Sequence, residues 1–105
     1  MRTISITDVA ALYDADTTVV DVREPAEYVE GHVPGAMLIP LAQLPARKAE
    51  VANDGPVYVI CRSGNRSKVG ASVLDAAGYD AVSVDGGTMA WISRGQRYVT
   101  GREAR

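Results

Sequence analysis

The hydrophobic positions of this chain fall into short blocks whose period changes from one block to the next. Val9, Leu12 and Tyr13 recur at helical spacing, and Thr7 or Asp8 is placed to cap a short helix ending near Tyr13. Thr17 to Val22 is a β-branched run that reads as a buried strand. Asp21-Val22-Arg23-Glu24-Pro25 leaves that strand, and Pro25 suits the first turn of a small helix reaching Glu30. Gly31-His32-Val33-Pro34-Gly35 reads as loop, and Ala36 to Ile39 as a short extended piece. A helix is predicted from about Leu41 to Val51, followed by the turn Asn53-Asp54-Gly55-Pro56. Val57 to Ile60 is a second apolar strand; a polar loop follows it, then a helix from about Arg66 to Ala77 with Gly78 as its natural stop. Ala81 to Val84 reads as a last strand, Asp85-Gly86-Gly87 as a tight turn, and Thr88 to Arg94 as a closing helix. From about Gly95 the residues are polar and are expected to lie loosely on the surface.

Strands that alternate with helices predict an α/β domain, its central sheet mainly parallel and covered by helices on both faces. No linker, repeat or low-complexity stretch divides the chain. The expectation is one domain over residues 1–105, with a core at about 3–94 and a surface tail at 95–105. In such folds ligands bind beyond the carboxyl ends of the strands. Asp21-Val22-Arg23, the loop after Ile60 and Asp85-Gly86-Gly87 all leave such ends, so the three are expected to converge on one site.

Composition narrows the chemistry. At 105 residues, 47% hydrophobic and 23% charged, the chain can bury a core without disulfides or metal. A net charge of −2 argues against general nucleic-acid binding, so the positive charge near Cys61 is local. That single cysteine excludes an internal disulfide, a multi-Cys metal site and an internal resolving thiol. Anything Cys61 acquires must therefore leave to another molecule. The N-terminal residues lack the apolar core of a signal peptide, and no apolar run approaches the length of a membrane span. The expected location is a reducing cytoplasm, with no membrane partner.

Val57-Tyr58-Val59-Ile60 delivers Cys61 to the polar loop Arg62-Ser63-Gly64-Asn65-Arg66-Ser67. A lone cysteine closing an apolar run is by default a small buried hydrophobe. Here the loop carries no apolar side chain, which suits a solvent-facing position. Gly64 can take the positive φ that turns successive N–H groups towards one centre. A helix N-terminus favours an anion, and Arg62 and Arg66 add charge of the same sign. Comparable settings lower a cysteine pKa from ~8.5 to ~3.5–7.5. The loop reads as one that makes a thiolate and holds an anionic substrate beside it.

Three blocks, in order, resemble the rhodanese family of sulfurtransferases. They are Asp21-Val22-Arg23-Glu24 with Glu27-Tyr28 and Gly31-His32-Val33-Pro34-Gly35-Ala36; the loop Cys61 to Ser67; and Gly86-Gly87 with Trp91. The resemblance runs from about Val19 to Trp91, and the length suits the stand-alone, single-domain form. It implies a three-layer rhodanese-like fold and Cys61 as a nucleophile that carries sulfur as a persulfide. The backbone N–H groups of Arg62, Ser63, Gly64, Asn65, Arg66 and Ser67 would hold that sulfur as an oxyanion hole holds oxygen. Thiosulfate or another small anionic donor, drawn by Arg62 and Arg66, would lose sulfite to the thiolate. Cyanide or a thiol would then remove the sulfur in a ping-pong cycle with no cofactor and no metal.

Related phosphatases use Cys-x5-Arg, whereas Cys61 and Arg66 give Cys-x4-Arg, a ring one residue short for phosphate. Asp21 and Arg23 are expected to support the site structurally, Asp21 by capping loop N–H groups and Arg23 by pairing near Glu24 and Glu27. Gly86 and Gly87 would permit close backbone approach to the active loop. Ser63, Asn65 and Ser67 can hydrogen-bond the loop or the donor, and Ser67 can also cap the following helix. His32 is read as fixing its loop and Trp91 as core. Two alternatives stay open: a persulfide carrier that delivers sulfur to a partner protein, and a non-catalytic binding domain.

Overall fold

Three β-branched runs and two shorter extended pieces assemble into one parallel sheet. The computed structural model describes residues 2–105. Its strands are β1 (Arg2–Ser5), β2 (Thr18–Asp21), β3 (Met37–Leu38), β4 (Pro56–Ile60) and β5 (Asp80–Asp85), in the spatial order β1-β5-β4-β2-β3. All four neighbouring pairs are parallel, which is the geometry that helical crossovers allow. Register sets Val20 beside Val59 and Val59 beside Ser83, so the ends of β2, β4 and β5 lie side by side.

The two-residue period of the pleat divides the core in two. Val57, Val59 and Cys61 face one way with Val20 and Val22, against Leu44, Ala71 and Leu74. Ile60, Val19 and Val84 face the other way, against Ile6, Val9, Tyr28 and Trp91. The first face is covered by α3 (Leu44–Arg47) and α4 (Asn65–Ala76), the second by α1 (Ile6–Leu12), α2 (Pro25–Glu30) and α5 (Gly87–Ser93). Gly70 lets α4 sit close to the sheet, since a Cβ there would lie 3.1 Å from Val59 and 3.2 Å from Val22. The α/β architecture with helices on both faces is the one the pattern predicts.

Several boundaries differ from the sequence reading. β1 is an additional edge strand, and Ser5, rather than Thr7 or Asp8, caps α1 by accepting the Asp8 N–H at 3.2 Å. The helix predicted over 41–51 is broken into a 3-10 turn at Leu41–Gln43, α3, and a second 3-10 turn at Lys48–Glu50. Pro45 lacks an N–H, so it opens α3 instead of continuing a helix from Leu41. The tail is not loose. Val99 and His32 exchange two backbone hydrogen bonds of 2.9 Å, and Gly101 N–H reaches Val29 O at 2.8 Å. Gly35 N–H donates to Ala104 O at 2.7 Å and the Trp91 indole to Arg97 O at 2.8 Å. Backbone pairing makes these polar residues a strap across α2 and the loop that follows it. Among the described residues no helix is long and apolar enough to cross a membrane.

Candidate active site

The last side chain of the β4 alternation is the cysteine itself. Cys61 follows Val57 and Val59 into the core and is only 1% exposed. The solvent-facing position expected from the polar loop is therefore corrected: the strand period carries the sulfur inward while Arg62, Ser63 and Asn65 stay exposed. Gly64, at φ +118°, turns the chain and caps α4, and its N–H donates to Cys61 Sγ at 3.1 Å. Burial alone raises the thiol. Against it, the Ser67 hydroxyl and N–H, with the N–H groups of Gly64 and Ser63, hold Cys61 below the ordinary thiol value.

Ser67 does not cap α4, because Gly64 holds that position. It lies inside the first turn, where its hydroxyl oxygen is 3.1 Å from Gly64 O and shares a 2.8 Å hydrogen bond with Ser83 Oγ. Both serines are fully buried. Ser83 was absent from the sequence-derived site. Its one signal is a polar side chain within the apolar run Ala81 to Val84.

The other two strand ends close on this loop through backbone. Gly86 and Gly87 have φ of +86° and +61°, and a Cβ on Gly87 would lie 2.5 Å from the carbonyl oxygens of both Cys61 and Arg62. Thr88 N–H donates to Cys61 O at 2.9 Å and Met89 N–H to Arg62 O at 3.1 Å. From β2, Val22 N–H donates to Ile60 O at 3.0 Å. Asp21 accepts the Arg23 N–H at 3.1 Å, as a strand-end cap does. Arg23 pairs with Asp21 rather than with the Glu24 or Glu27 carboxylates, through Nε at 3.0 Å and Nη2 at 2.8 Å, and also donates to Gly31 O at 2.9 Å. This buried pair ties the end of β2 to the C-terminal end of α2.

The two arginines of the loop have different fates. Arg66 donates to both oxygens of Glu27, at 2.6 and 2.8 Å. Hydrogen bonding from Arg66 pulls the Glu27 carboxyl down to about 2, although partial burial opposes the shift. The charge expected to draw an anion is thus neutralised across α2 and α4. Arg62 stays exposed, and among the described residues its one side-chain hydrogen bond is from Nε to Met89 Sδ at 3.0 Å. Beside it lies a cavity of about 240 Å³, lined by Arg23, Glu27, Glu30, Gly31, Arg62, Thr88, Met89 and Ile92. Thr88 is 1% exposed, and its hydroxyl has no hydrogen-bond partner among the described residues. A larger, more apolar cavity of about 540 Å³ runs along Tyr28, Met37 and Ala104 and shares no residue with the cysteine loop.

His32 and Trp91 take structural places. His32 is buried, stacked 3.6 Å from the Tyr28 ring, with its nitrogens 2.7 and 2.8 Å from the carbonyl oxygens of Tyr28 and Glu103. Trp91 is buried edge-on to Tyr13. Lys68 points to solvent. Among the described residues no group of three or more His, Cys, Asp or Glu is placed to hold a metal ion.

Comparison with known proteins places the chain and its fold among the rhodanese-like domains. The model of the rhodanese-like domain family matches residues 5–94. A sulfurtransferase of Allochromatium vinosum is 38% identical over 81 residues, 76% of each chain. A putative sulfur carrier protein of Bacillus subtilis is 36% identical over 69 residues, 66% of this chain and 37% of that protein. The crystal structure of a rhodanese-related protein from Thermoplasma volcanium superposes with a TM-score of 0.89 at 34% identity, covering 96% of this chain and 100% of that one.

Proposed function

The chain belongs to the rhodanese-like domain family, and from that premise we propose that it is a sulfurtransferase working through a Cys61 persulfide. In the first half-reaction the Cys61 thiolate attacks the outer sulfur of thiosulfate or a similar anionic donor. The donor's S–S bond breaks, sulfite departs with the electron pair, and the sulfur stays on Cys61. In the second, a thiophile takes that sulfur and Cys61 leaves as the thiolate again. Because Cys61 is so nearly covered, the donor reaches it by a terminal sulfur atom rather than by a bulky group.

The observation that carries this reading is the 3.1 Å hydrogen bond from Gly64 N–H to Cys61 Sγ. A cradle of N–H groups around one sulfur stabilises the thiolate as attacking group and as leaving group. The supporting roles follow from position. Arg62 is the open cation for the donor, Arg66 with Glu27 fixes the loop, and Ser63, Gly64, Asn65 and Ser67 supply loop N–H groups. Gly86 and Gly87 hold the loop from β5, and Asp21 with Arg23 holds α2. The Cys-x4-Arg ring disfavours a phosphatase.

A second reading, a persulfide carrier that serves a partner protein, has its support in the relative named a putative sulfur carrier. Intact-protein mass spectrometry after brief exposure to thiosulfate tests the proposal. The mass of one added sulfur should appear, vanish on adding cyanide, and be absent in Cys61→Ser. No gain in folded protein excludes thiosulfate as donor. Faster discharge to a protein acceptor than to any small thiophile favours the carrier.

A further inference from the structure

Ser67 has one hydroxyl proton and more than one group able to accept it. Its oxygen lies 3.1 Å from Gly64 O and 2.8 Å from Ser83 Oγ, and its hydroxyl is also one of the groups that hold the Cys61 thiol low. Ser83 sits in β5 beside Val59 and two residues on from Ala81, so its side chain shares the sheet face of Val57, Val59 and Cys61. Its register partner Val59 and its own-strand neighbour on that face, Ala81, are both apolar. A buried hydroxyl in such a place needs a partner. Ser83 and Ser67 are both fully buried, and among the described residues Ser83 Oγ has one hydrogen-bond partner, the Ser67 hydroxyl.

That single contact fixes the direction of the bond. If Ser83 accepted the Ser67 proton, its own O–H would be buried with nothing to receive it, which is the costly arrangement. Ser83 therefore donates and Ser67 Oγ accepts, which leaves the Ser67 proton for the carbonyl of Gly64 or the sulfur of Cys61. A thiolate is charged and is the stronger acceptor of the two. The proton turns to the sulfur when Cys61 ionises and returns to Gly64 O when the thiol re-forms. An O–H whose oxygen already accepts a hydrogen bond is also a stronger donor. We propose that Ser83 is a positioning residue of the sulfur site: its hydroxyl donates to Ser67 Oγ and so commits the Ser67 proton to the Cys61 thiolate and to the sulfur the cysteine carries. The part that concerns the carried sulfur rests on the persulfide reading of Cys61; the hold on the thiolate does not. Arg66 also acts on the sulfur through its charge and is paired with Glu27. Neither of these side chains is bonded to Ser83 among the described residues, so substitutions at Ser83 leave that pair in place.

The test is the pH dependence of Cys61 alkylation by iodoacetamide in wild-type protein, Ser83→Ala, Ser83→Thr, Ser67→Ala and the double variant Ser67→Ala with Ser83→Ala. Ser83→Ala should raise the titration midpoint and slow alkylation about two- to fivefold at a pH below it. Ser83→Thr keeps the hydroxyl and should keep the wild-type midpoint. In the double variant the midpoint should stay where Ser67→Ala alone puts it, because Ser83 acts only through Ser67. A role confined to packing would move the urea midpoint and leave the thiol titration alone. Ser83→Ala that titrates as wild type does, or that shifts the midpoint equally with and without the Ser67 hydroxyl, overturns the proposal. Mass spectrometry of the same proteins after exposure to thiosulfate separates this inference from the reading it extends. Sulfur gained by wild type, with an unmoved midpoint in Ser83→Ala, refutes the role of Ser83 and leaves the persulfide standing. The expected midpoints in protein that never gains sulfur support the hold of Ser83 on the thiolate and count against the persulfide.

Discussion

The carboxylate of Glu27 and the guanidinium of Arg66 meet in a two-bonded ion pair, 2.6 and 2.8 Å long, that ties α2 to the first turn of α4. The pair fixes the end of the cysteine loop and holds the Glu27 carboxyl at about 2, well below its ordinary 4.5. A carboxyl depressed in the folded state adds stability that is fully present above its unfolded value and lost as pH falls through its folded value. Glu27→Gln should therefore flatten the stability curve between about pH 4.5 and pH 2 relative to wild type. At pH 7 it should lose no more than about 1 kcal/mol, since both side chains are partly exposed and screened by solvent. Urea unfolding across that pH range measures both effects.

The hydrogen bonds around Cys61 predict a reactive thiol. Alkylation by iodoacetamide should follow a titration midpoint below that of an ordinary thiol, because donors from Ser67, Gly64 and Ser63 outweigh burial. Ser67→Ala removes one of those donors. Its midpoint should move up and its alkylation at pH 7 should slow several-fold, as read from the pH dependence of the rate. An unchanged midpoint would mean that backbone N–H groups alone hold the thiolate.

Two glycines with similar backbone angles should respond differently to alanine. Gly87, at φ +61°, would bring a Cβ within 2.5 Å of two carbonyl oxygens of the cysteine loop, neither of which can move freely. Gly87→Ala should cost about 3 kcal/mol or more. Gly78, at φ +92°, faces open space, so Gly78→Ala should cost only the left-handed backbone penalty of about 1–2 kcal/mol. Denaturant midpoints at unchanged slope separate the two.

Thr88→Val should make the protein more stable, by about 1 kcal/mol, because it replaces a buried unpartnered hydroxyl with a methyl group of nearly the same shape. A shift of the urea midpoint to higher concentration checks this.

Local pattern was sufficient for β2, β4 and β5, whose β-branched runs read as strands whatever surrounds them. The same holds for α2 and α4, where Pro25 at the start and Gly78 past the end act within a turn of their own position. β1 escaped notice because Arg2-Thr3-Ile4-Ser5 is a largely exposed edge strand, defined by its pairing with Val82 to Asp85 and not by alternation. The tail strap is invisible for the same reason. Its polar residues are held by backbone bonds to His32, Val29 and Gly35, and backbone groups are alike in every residue.

Sequence alone therefore determined the order of the elements after β1, the parallel sheet they imply, and the delivery of one cysteine to a glycine-turned loop at a strand end. Propensity, capping and strand period act over a few residues, and those interactions are written along the chain. Only the tertiary structure decided how deep the sulfur lies and which charges remain open around it. Arg66 is neutralised by a carboxylate 39 residues away, Ser67 leans on Ser83 16 residues on, and Arg62 keeps its charge. Ion pairs and side-chain hydrogen bonds depend on separation in space, which is settled once the strands of the sheet have been laid side by side.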